Sequence, residues 1–488
     1  MLDDPIAAIL EVWQAEPVHA PVEQLACELG RPVHIVGGAV RDALLGHAVQ
    51  DWDLCTSNAA QFAQRLAELT AGRLVTLHER LPTYRVILDR AHPDYCVDVG
   101  EVRGDIATDL STRDLTINAL AFDVTTHELL DPLRGLDDLR AGLLRAVGPQ
   151  NLQEDPLRCL RVYRLHSELG FAIEPQTRVW LRQTAPLVPT MPGERLGEEL
   201  LKTLAPPRAA ATLRLMDTGG LLGQLLPEIE PMRGVEQGRY HHLDVWGHTL
   251  EVVAQLEGMV RDPARFFPQT HHEVARVLDH RHAPAVLLLT ALLHDIAKPA
   301  CRVRTPEGWW RFYGHDSRGA EMAHAIAHRF RLRRKHTDMV AALIRNHLRP
   351  LQLAALELPQ DERPPEPISR NALLRLYRSV HPYGVALTLL ALADVRACRG
   401  PATKPGYHER LAGLLDEMLK RYFDWRHAYR AEPLLTGKDL IQAGYAPGER
   451  FGEVLAAIEE AQVEDLINTR EEALALAEQL LSEGSDPA

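Results

Sequence analysis

The chain has 488 residues, of which 46% are hydrophobic and 25% charged, so it can form several cores and has the ordinary composition of a protein that folds in water. The six cysteines lack metal-knuckle spacing and do not form a dense disulfide framework. The acidic start at Met1–Asp4 argues against a secretory signal, and the lack of an apolar run near 18 residues argues against a membrane span. These features predict a cytoplasmic protein. The net charge of −13 is uneven, since residues 431–488 carry −10 and residues 301–350 carry +7, so it does not exclude a nucleic-acid partner.

The predicted elements change in kind along the chain. Residues 5–30 have helical spacing of apolar side chains, and residues 31–147 contain five strand-like segments, namely VHIVGG, WDLCT, YRVIL, CVDVG and LAFDV. Residues 150–230 are helical with intervening prolines, and residues 240–400 are helical and rich in histidine. A surface loop is predicted at 358–367 and two amphipathic helices at 431–484.

The most informative stretch runs from His34 to Ser57. An apolar strand breaks at Gly37-Gly38 and continues as an amphipathic helix, which predicts a tight turn with free backbone N–H groups. Asp51 and Asp53 follow; one residue apart on a strand, they point to the same face and can share hard divalent cations. Glycines for a triphosphate and a carboxylate pair for Mg²⁺ are what metal-assisted nucleotidyl transfer needs.

This stretch resembles the nucleotidyltransferase signature of class II CCA-adding enzymes and bacterial poly(A) polymerases, a branch of the polymerase-β-like superfamily. The positions that fall on the pattern are Gly37, Gly38, Arg41, Asp42, Gly46, Asp51, Asp53 and Thr56. The resemblance implies that Asp51 and Asp53 hold Mg²⁺ and that a third carboxylate comes from a nearby strand, for which Asp98 in CVDVG is the candidate.

A second motif, TRDLTINALAFD at 112–123, resembles the family's segment that contacts the ribose and triphosphate of the nucleotide. Arg113, Asp114, Thr116 and Asn118 match it, whereas Thr112 replaces an arginine and leaves one phosphate contact in question. Turn capping by Asp114 and Asn118 is the alternative interpretation.

The third motif is EDPLRCLR at 154–161. From the residues alone, Asp155 predicts a helix N-cap before Pro156, with Arg158 on a solvated face. In the family this string selects the nucleotide, with Arg161 in the same pocket. A carboxylate can accept from the cytosine amino group while a guanidinium donates to the ring acceptors, so the two side chains can imitate a templating base. A further match, GERLGEELLK at 193–202, is expected to support the pocket.

The spacer between the first two motifs bears on how many nucleotides are added. Relatives that add the terminal A carry a flexible loop there, after an Asp/Glu-x-x-x-x-Arg string. Here that string is Asp98 to Arg103, and only residues 104–112 separate it from Arg113. The short spacer predicts addition of CC, with a separate enzyme supplying the A.

Histidines in the second half of the chain resemble the HD phosphohydrolase pattern. By that resemblance His248, His294, Asp295 and Asp394 bind a transition metal such as Mn, Ni, Co or Fe, and His315 and His347 ligate a second ion or contact substrate. Lys298 is the candidate phosphate ligand. The resemblance implies hydrolysis of phosphorylated or 2′,3′-cyclic RNA ends; a capped core histidine is the alternative for His294 alone.

Together these features predict an α+β protein. We expect a polymerase-β-like head with a mixed sheet (1–147), an all-α neck (148–232), an HD-type helical domain (233–400) and a helical C-terminal region (401–488). The predicted partners are the tRNA 3′ end, CTP and ATP. The alternatives are an A-adding enzyme, a poly(A) polymerase, a catalytically silent RNA-binding protein and a phosphohydrolase whose head only positions tRNA.

Overall fold

The computed structural model describes residues 4–49, 51–77, 83–88, 95–280, 282–358, 365–428, 433–445, 450–463, 466–467 and 469–482. The chain divides into two compact units, which are Met1–Glu230 with Ala327–Leu332 (unit 1) and Pro231–Ile326 with Arg333–Ala488 (unit 2). Within the described ranges, no helix combines the length and apolarity that crossing a membrane requires.

Unit 1 contains a seven-stranded mixed sheet of order β3-β4-β5-β2-β1-β6-β7, in which only the β2–β5 pair is parallel among the strands described. The strands are β1 Val33–Val36, β2 Trp52–Thr56, β3 Arg73–Thr76, β4 Thr83–Ile87, β5 Cys96–Glu101, β6 Ala121–Asp123 and β7 Leu129–Leu130, and a separate parallel pair joins β8 Leu143–Leu144 to β9 Ala172–Ile173. The central strand β1 is buried at every residue, which explains its unbroken VHIV run. The predicted strands correspond to β1, β2, β4, β5 and β6.

Unit 1 also contains twelve α-helices among the described residues. They are α1 Pro5–Gln14, α2 His19–Leu29, α3 Gly38–Leu45, α4 Ala59–Leu69, α5 Ile106–Ser111, α6 Gly135–Ala141, α7 Pro149–Glu154, α8 Leu157–Leu169, α9 Pro175–Thr184, α10 Gly193–Thr203, α11 Ala209–Thr218 and α12 Leu221–Leu225. The helical prediction for 5–30 is confirmed, and the chain forms two helices there, α1 and α2, with a break between them. The strands β3, β7, β8 and β9 were not predicted.

Unit 2 is built mainly from helices. The elements are α13 Val245–Arg261, α14 Pro263–Phe266, α15 His271–Leu278, α16 Ala283–Leu293, β10 Arg302–Arg304, β11 Trp310–Phe312, α17 His315–Arg329, α18 Arg334–Asn346, α19 Arg349–Ala354, α20 Arg370–Ser379, α21 Gly384–Ala397, α22 Tyr407–Ala428, α23 Gly437–Gln442, α24 Arg450–Val463 and α25 Arg470–Ser482; the last three residues of α17 belong to unit 1. All residues of α16 from Ala285 to Leu293 are buried, because α13, α18 and α21 pack against this helix.

Two expectations for this half need correction. The 240–400 region is not helical throughout, since β10 and β11 form an antiparallel hairpin within it. The C-terminal segment contains three helices, α23 to α25, rather than two. A surface loop was predicted at 358–367, and its middle part, residues 359–364, lies outside the described residues. The α+β class is confirmed by the mixed sheet of unit 1 and the helices that follow it.

Candidate active sites

A cavity of about 950 Å³ opens beside β2 and β5 in unit 1. Eleven of the twelve residues predicted to form the nucleotidyl-transfer site line it, namely Gly37, Gly38, Arg41, Asp51, Asp53, Asp98, Arg113, Asp114, Asn118, Arg158 and Arg161. Asp155 is not among the lining residues. Residues from four separate segments of the chain thus meet at one cavity.

Three carboxylates stand on one side of this cavity. Asp53 in β2 is in register with Asp98 in the parallel neighbour β5, and Asp51 lies just before β2. Burial raises the pKa of Asp53 to about 6, with Asp98 and Asp51 acting in the same direction and Arg113 opposing them. A half-buried carboxylate that stays raised in pKa beside two other carboxylates fits a divalent cation, which would supply further positive charge.

Sequence reasoning missed the partner of Asp98. Arg85, the facing residue on β4, donates two hydrogen bonds of 2.8 Å to the two carboxylate oxygens of Asp98. This bidentate pair holds Asp98 against β4. The sequence shows one charged residue in each of YRVIL and CVDVG, but the structure is needed to show that these strands pair.

Close packing surrounds the glycine turn at Gly37. Gly37 has φ +74°, and a Cβ there would meet Arg113 Nη1 at 2.9 Å, so only glycine fits. The Gly37 N–H was predicted to be free. It instead donates to the Leu120 carbonyl at 3.2 Å. The turn therefore brings backbone close to Arg113 at the edge of the cavity.

The second motif forms a buried polar network that connects the other motifs. Arg41 donates to Asn118 Oδ1 at 2.7 Å, Asn118 Nδ2 donates to Asp114 at 3.0 Å, and Arg161 lies 3.2 Å from the other oxygen of Asp114. Burial would raise the pKa of Asp114, but Arg161 and Asn118 lower it to about 2. Asp114 also accepts the N–H of Leu115 at 2.8 Å, so the capping interpretation describes part of its role.

The third motif is only partly assembled at the cavity. Arg158 lines it and donates to the carbonyls of Thr112 at 2.8 Å and Asn151 at 3.0 Å. Asp155 instead pairs with Arg195 of α10 at 3.0 Å. The N-cap prediction for Asp155 is wrong, since α8 begins at Leu157 with Pro156 at the cap; Asp155 still accepts the Leu157 N–H at 3.3 Å.

A second cluster lies in unit 2, where every predicted HD residue is buried. His248 Nε2 is 2.9 Å from Asp394 and 3.7 Å from Asp295, and His294 Nε2 is 3.1 Å from Asp295. His315 Nε2 is 3.5 Å from the other oxygen of Asp295. Within each of two groups, the three ligand atoms lie within 4.8 Å of one another. One group is His248, His294 and Asp295, and the other is Asp295, His315 and His347.

The histidine tautomers are fixed by backbone carbonyls. The Nδ1 atoms of His294, His315 and His347 lie 2.7 or 2.8 Å from the carbonyl oxygens three residues earlier, which orients each Nε2 toward the cluster. The Nε2 atoms of His294 and His315 and Oδ1 of Asp295 are buried and have no hydrogen-bond partner among the described residues. Orphaned, preoriented nitrogen and carboxylate donors fit a transition metal.

Two of the histidines are neutral, as a ligand role requires; burial would lower the pKa of His294 as well, but Asp295 raises it. Burial lowers the pKa of His248, and that of His347 to about 4, so both are neutral at pH 7. For Asp295 burial alone would raise the pKa, but His294 and Lys298 hold it well below its usual range. Lys298 Nζ lies 2.6 Å from Asp295 and donates to Gln237 at 2.6 Å.

Two further residues near this cluster were missed by the sequence analysis. His241 and Cys398 form a third group with His248, with ligand atoms within 4.8 Å of one another. His241 lies in a loop without a motif, and Cys398 ends α21 four residues after Asp394. Nothing in their spacing connects them along the chain, since the contact is made by folding.

Four family models match successive segments of the chain. Residues 33–145 match the Poly A polymerase head domain, 170–233 the RNA and SrmB-binding site of polymerase A, 245–376 the HD domain, and 418–477 domain 2 of tRNA nucleotidyltransferases. An A-adding tRNA nucleotidyltransferase of Deinococcus radiodurans is 32% identical over 92% of this chain and 95% of its own. The chain belongs to the class II tRNA nucleotidyltransferases that carry an HD domain.

Other relatives of this tRNA nucleotidyltransferase differ in the nucleotide named. A CC-adding enzyme of Thermus thermophilus is 34% identical over 90% of this chain and 92% of its own. The solved structure of a Thermotoga maritima CCA-adding enzyme complexed with tRNA has a TM-score of 0.60 at 21% identity and covers 97% of this chain and 98% of that chain, which shows a shared fold. Overall identity does not separate A addition from CC addition, because the identities of the two relatives, 32% and 34%, differ little.

Proposed function

We propose that this tRNA nucleotidyltransferase adds two cytidylates to the tRNA 3′ end from CTP, without a nucleic-acid template, and leaves the terminal A to a separate A-adding enzyme. The observation that carries this specificity is the folded spacer at 104–112. Six of its nine residues form α5, which Asp105 caps by accepting the Thr108 N–H at 2.7 Å. Arg103 also contacts Thr112 at 3.3 Å, which joins the two ends of the spacer.

The position of Arg158 supports selection of a single base. Two carbonyls hold its guanidinium, and one belongs to Thr112 at the end of the spacer, so a rigid spacer keeps Arg158 in one orientation. Its remaining N–H groups are then available to the ring acceptors of cytosine. Asp155 completes the pair by leaving Arg195 and accepting from the cytosine amino group.

Asp51, Asp53 and Asp98 hold Mg²⁺ in this proposal, and the metal supplies activation of the RNA 3′-hydroxyl and neutralisation of the triphosphate charge. The guanidinium groups of Arg41, Arg113 and Arg161 line the same cavity and place positive charge where the triphosphate binds. Asn118, fixed between Arg41 and Asp114, contacts the ribose. The chain itself thus binds and orients both substrates.

The test is nucleotide addition to three tRNAs that lack CCA, lack CA or lack only the A. We expect labelled CMP to be added up to CC and no AMP to be added to the CC end. Addition of AMP to that end shows a CCA- or A-adding enzyme, and long tails from ATP alone show a poly(A) polymerase. No addition to any of the three tRNAs shows a silent head.

We also propose that unit 2 is a metal-dependent phosphohydrolase that acts on phosphorylated or 2′,3′-cyclic RNA ends. His248, His294, Asp295 and Asp394 hold one Mn, Ni, Co or Fe ion, and His315 and His347 join Asp295 at a second. These ions supply a bound nucleophilic water and polarise the phosphoryl oxygen. Lys298, held between Asp295 and Gln237, is positioned to bind a substrate phosphate.

Metal analysis and phosphatase assays of the full chain test this activity. The purified protein is expected to retain a transition metal, and Asp394→Asn is expected to lower both the bound metal and the hydrolysis of a 2′,3′-cyclic RNA end. Asp137→Asn, which removes an exposed carboxylate of the head, is the control. Absence of metal together with no hydrolysis under added Mn, Ni, Co or Fe contradicts the proposal.

A further inference from the structure

An aromatic surface lies beside the metal cluster of unit 2 and has no part in the proposed metal chemistry. Trp309, at the end of the β10–β11 turn, is 50% exposed, and Tyr240 on a neighbouring loop is 51% exposed. Arg239 joins them, because its guanidinium carbon lies 5.3 Å from the Tyr240 ring centre and 6.0 Å from that of Trp309. We call Arg239, Tyr240, Trp309, Trp310 and Arg302 the aromatic rim.

Arginine stacking continues along the hairpin. Arg302 lies 3.6 Å from the ring centre of Trp310, and its Nε has no hydrogen-bond partner among the residues described. Guanidinium groups stacked on indole and phenol rings offer both a flat apolar face and positive charge. The segment 298–318 also has five basic and two acidic residues. Its surface is therefore complementary to an anion that carries aromatic groups.

The rim is connected to the metal ligands through the backbone. Phe312 ends β11, and its carbonyl fixes the tautomer of His315 at 2.7 Å. Trp310 and Phe312 are two residues apart on the strand and point to the same face. Lys298 Nζ lies 5.7 Å from the Phe312 ring and 2.6 Å from Asp295, so that face leads to the cluster.

The loop that carries Tyr240 is anchored to the segment that follows α21. Gly400 N donates to the Tyr240 carbonyl at 2.8 Å, and a Cβ on Gly400 would meet the Arg239 carbonyl at 2.4 Å, so the loop packs tightly there. Gln237 on the same loop accepts from Lys298. Exposed aromatic side chains on an anchored loop and an ordered hairpin cost little entropy when a base stacks on them.

We propose that the aromatic rim is a base-stacking subsite for the single-stranded 3′ end of an RNA, which places the terminal phosphoester at the histidine–aspartate cluster. This inference rests on the proposed phosphohydrolase function and names its substrate class: a phosphoester that carries nucleobases, held by stacking of the last bases on Trp309 and Tyr240. Stacking on aromatic side chains is tolerant of sequence, so the subsite recognises an unpaired end rather than a particular base.

The test compares two substrates of the full chain that differ only in their bases. One is a short oligoribonucleotide with a 2′,3′-cyclic phosphate end, and the other is the same RNA with its last two nucleotides abasic. Trp309→Ala is expected to raise KM for the intact RNA about tenfold with kcat retained, and to leave the abasic RNA unchanged. Trp309→Phe keeps an aromatic face and is expected to stay within about twofold of the parent protein. Equal effects on both RNAs, or no effect on either, overturn the proposal.

Crosslinking separates failure of the subsite from failure of the hydrolase. RNA ending in 4-thiouridine is irradiated with the full chain, and the attached peptides are identified by mass spectrometry. Crosslinks on peptides containing Tyr240, Trp309 or Trp310 support the subsite even if neither RNA is hydrolysed, in which case the hydrolase proposal alone fails. Crosslinks confined to unit 1 overturn the subsite whatever the activity.

Discussion

At the scale of single residues, Asp98 faces two competing partners. Arg85 binds both of its oxygens at 2.8 Å, so a metal ion must compete with a guanidinium for the same carboxylate. We predict that Arg85→Ala lowers the Mg²⁺ concentration for half-maximal nucleotide addition about 1.5- to 5-fold, the range of a partly exposed ion pair. Magnesium titrations of CMP addition measure this.

The control for that experiment is Asp98→Asn, which is expected to raise the Mg²⁺ requirement. A higher requirement in Arg85→Ala contradicts the competition and makes Arg85 a positioning residue for Asp98. An unchanged requirement in both variants removes Asp98 from the metal site and leaves Asp51 and Asp53 as its carboxylates.

Asp114 couples the nucleotide site to stability. Its pKa is about 2 in the folded chain, against about 3.9 when unfolded, so it stabilises the fold by about 2 kcal/mol above pH 4. This contribution is lost as the pH falls from 4 through 2. We predict that the difference in unfolding free energy between the parent and Asp114→Asn shrinks by about that amount across this range.

Urea unfolding at several pH values, followed by a probe in unit 1, measures the difference. Asp137→Asn, at an exposed carboxylate, is the control and is expected to show no such change. A difference between parent and Asp114→Asn that is constant with pH contradicts the assigned ion pair with Arg161.

At the scale of elements, α10 depends on two glycines that face a backbone segment. A Cβ on Gly197 would meet the Phe330 carbonyl at 2.2 Å, and one on Gly193 would meet the Arg329 carbonyl at 2.1 Å. The segment 327–332 therefore packs on α10 without space for a side chain. This explains why positions 193 and 197 are glycines.

We predict that Gly197→Ala destabilises unit 1 by about 1–3 kcal/mol, the usual cost of overpacking. Gly258→Ala in α13 is the matched control, because a Cβ there meets nothing within 4 Å and alanine favours helix. It is expected to leave stability equal or higher. Calorimetry measures the stability of both variants. Equal stability of Gly197→Ala and Gly258→Ala contradicts the prediction and shows that the 327–332 segment moves aside readily.

The sequence predicted the elements that carry long or unbroken patterns. The glycine turn with α3, the buried run of α16 and the five core strands follow from hydrophobic spacing. The hairpin β10–β11 was not predicted, because each strand has only three residues and includes arginine. Asp155 and the Arg85–Asp98 pair could not be placed, since tertiary ion pairs decide where those side chains point.

At the scale of the whole molecule, the chain combines two chemistries in separate compact units. The cavity of unit 1 has carboxylates and guanidinium groups, which fit the proposed nucleoside triphosphate, and the cluster of unit 2 has imidazoles, which fit the proposed transition metal. The proposed four-part division stays a prediction, because contacts within the chain separate two units only. The basic excess at 301–350 lies mostly in unit 2, where the aromatic rim is found.

Because the two sets of candidate ligands lie in separate units, we predict that a substitution in one set abolishes one activity and spares the other. Asp53→Asn is expected to reduce CMP addition at least 100-fold, because it removes a metal-facing carboxylate, and to leave hydrolysis of the cyclic RNA end within about twofold. His315→Gln is expected to do the reverse, since it removes a ligand of the unit 2 cluster and no atom of the head cavity. Measuring both activities on each variant in the same buffer tests this, with bound metal determined in parallel. Loss of both activities in either variant, with folding intact by circular dichroism, contradicts independent sites and indicates that one centre serves both reactions.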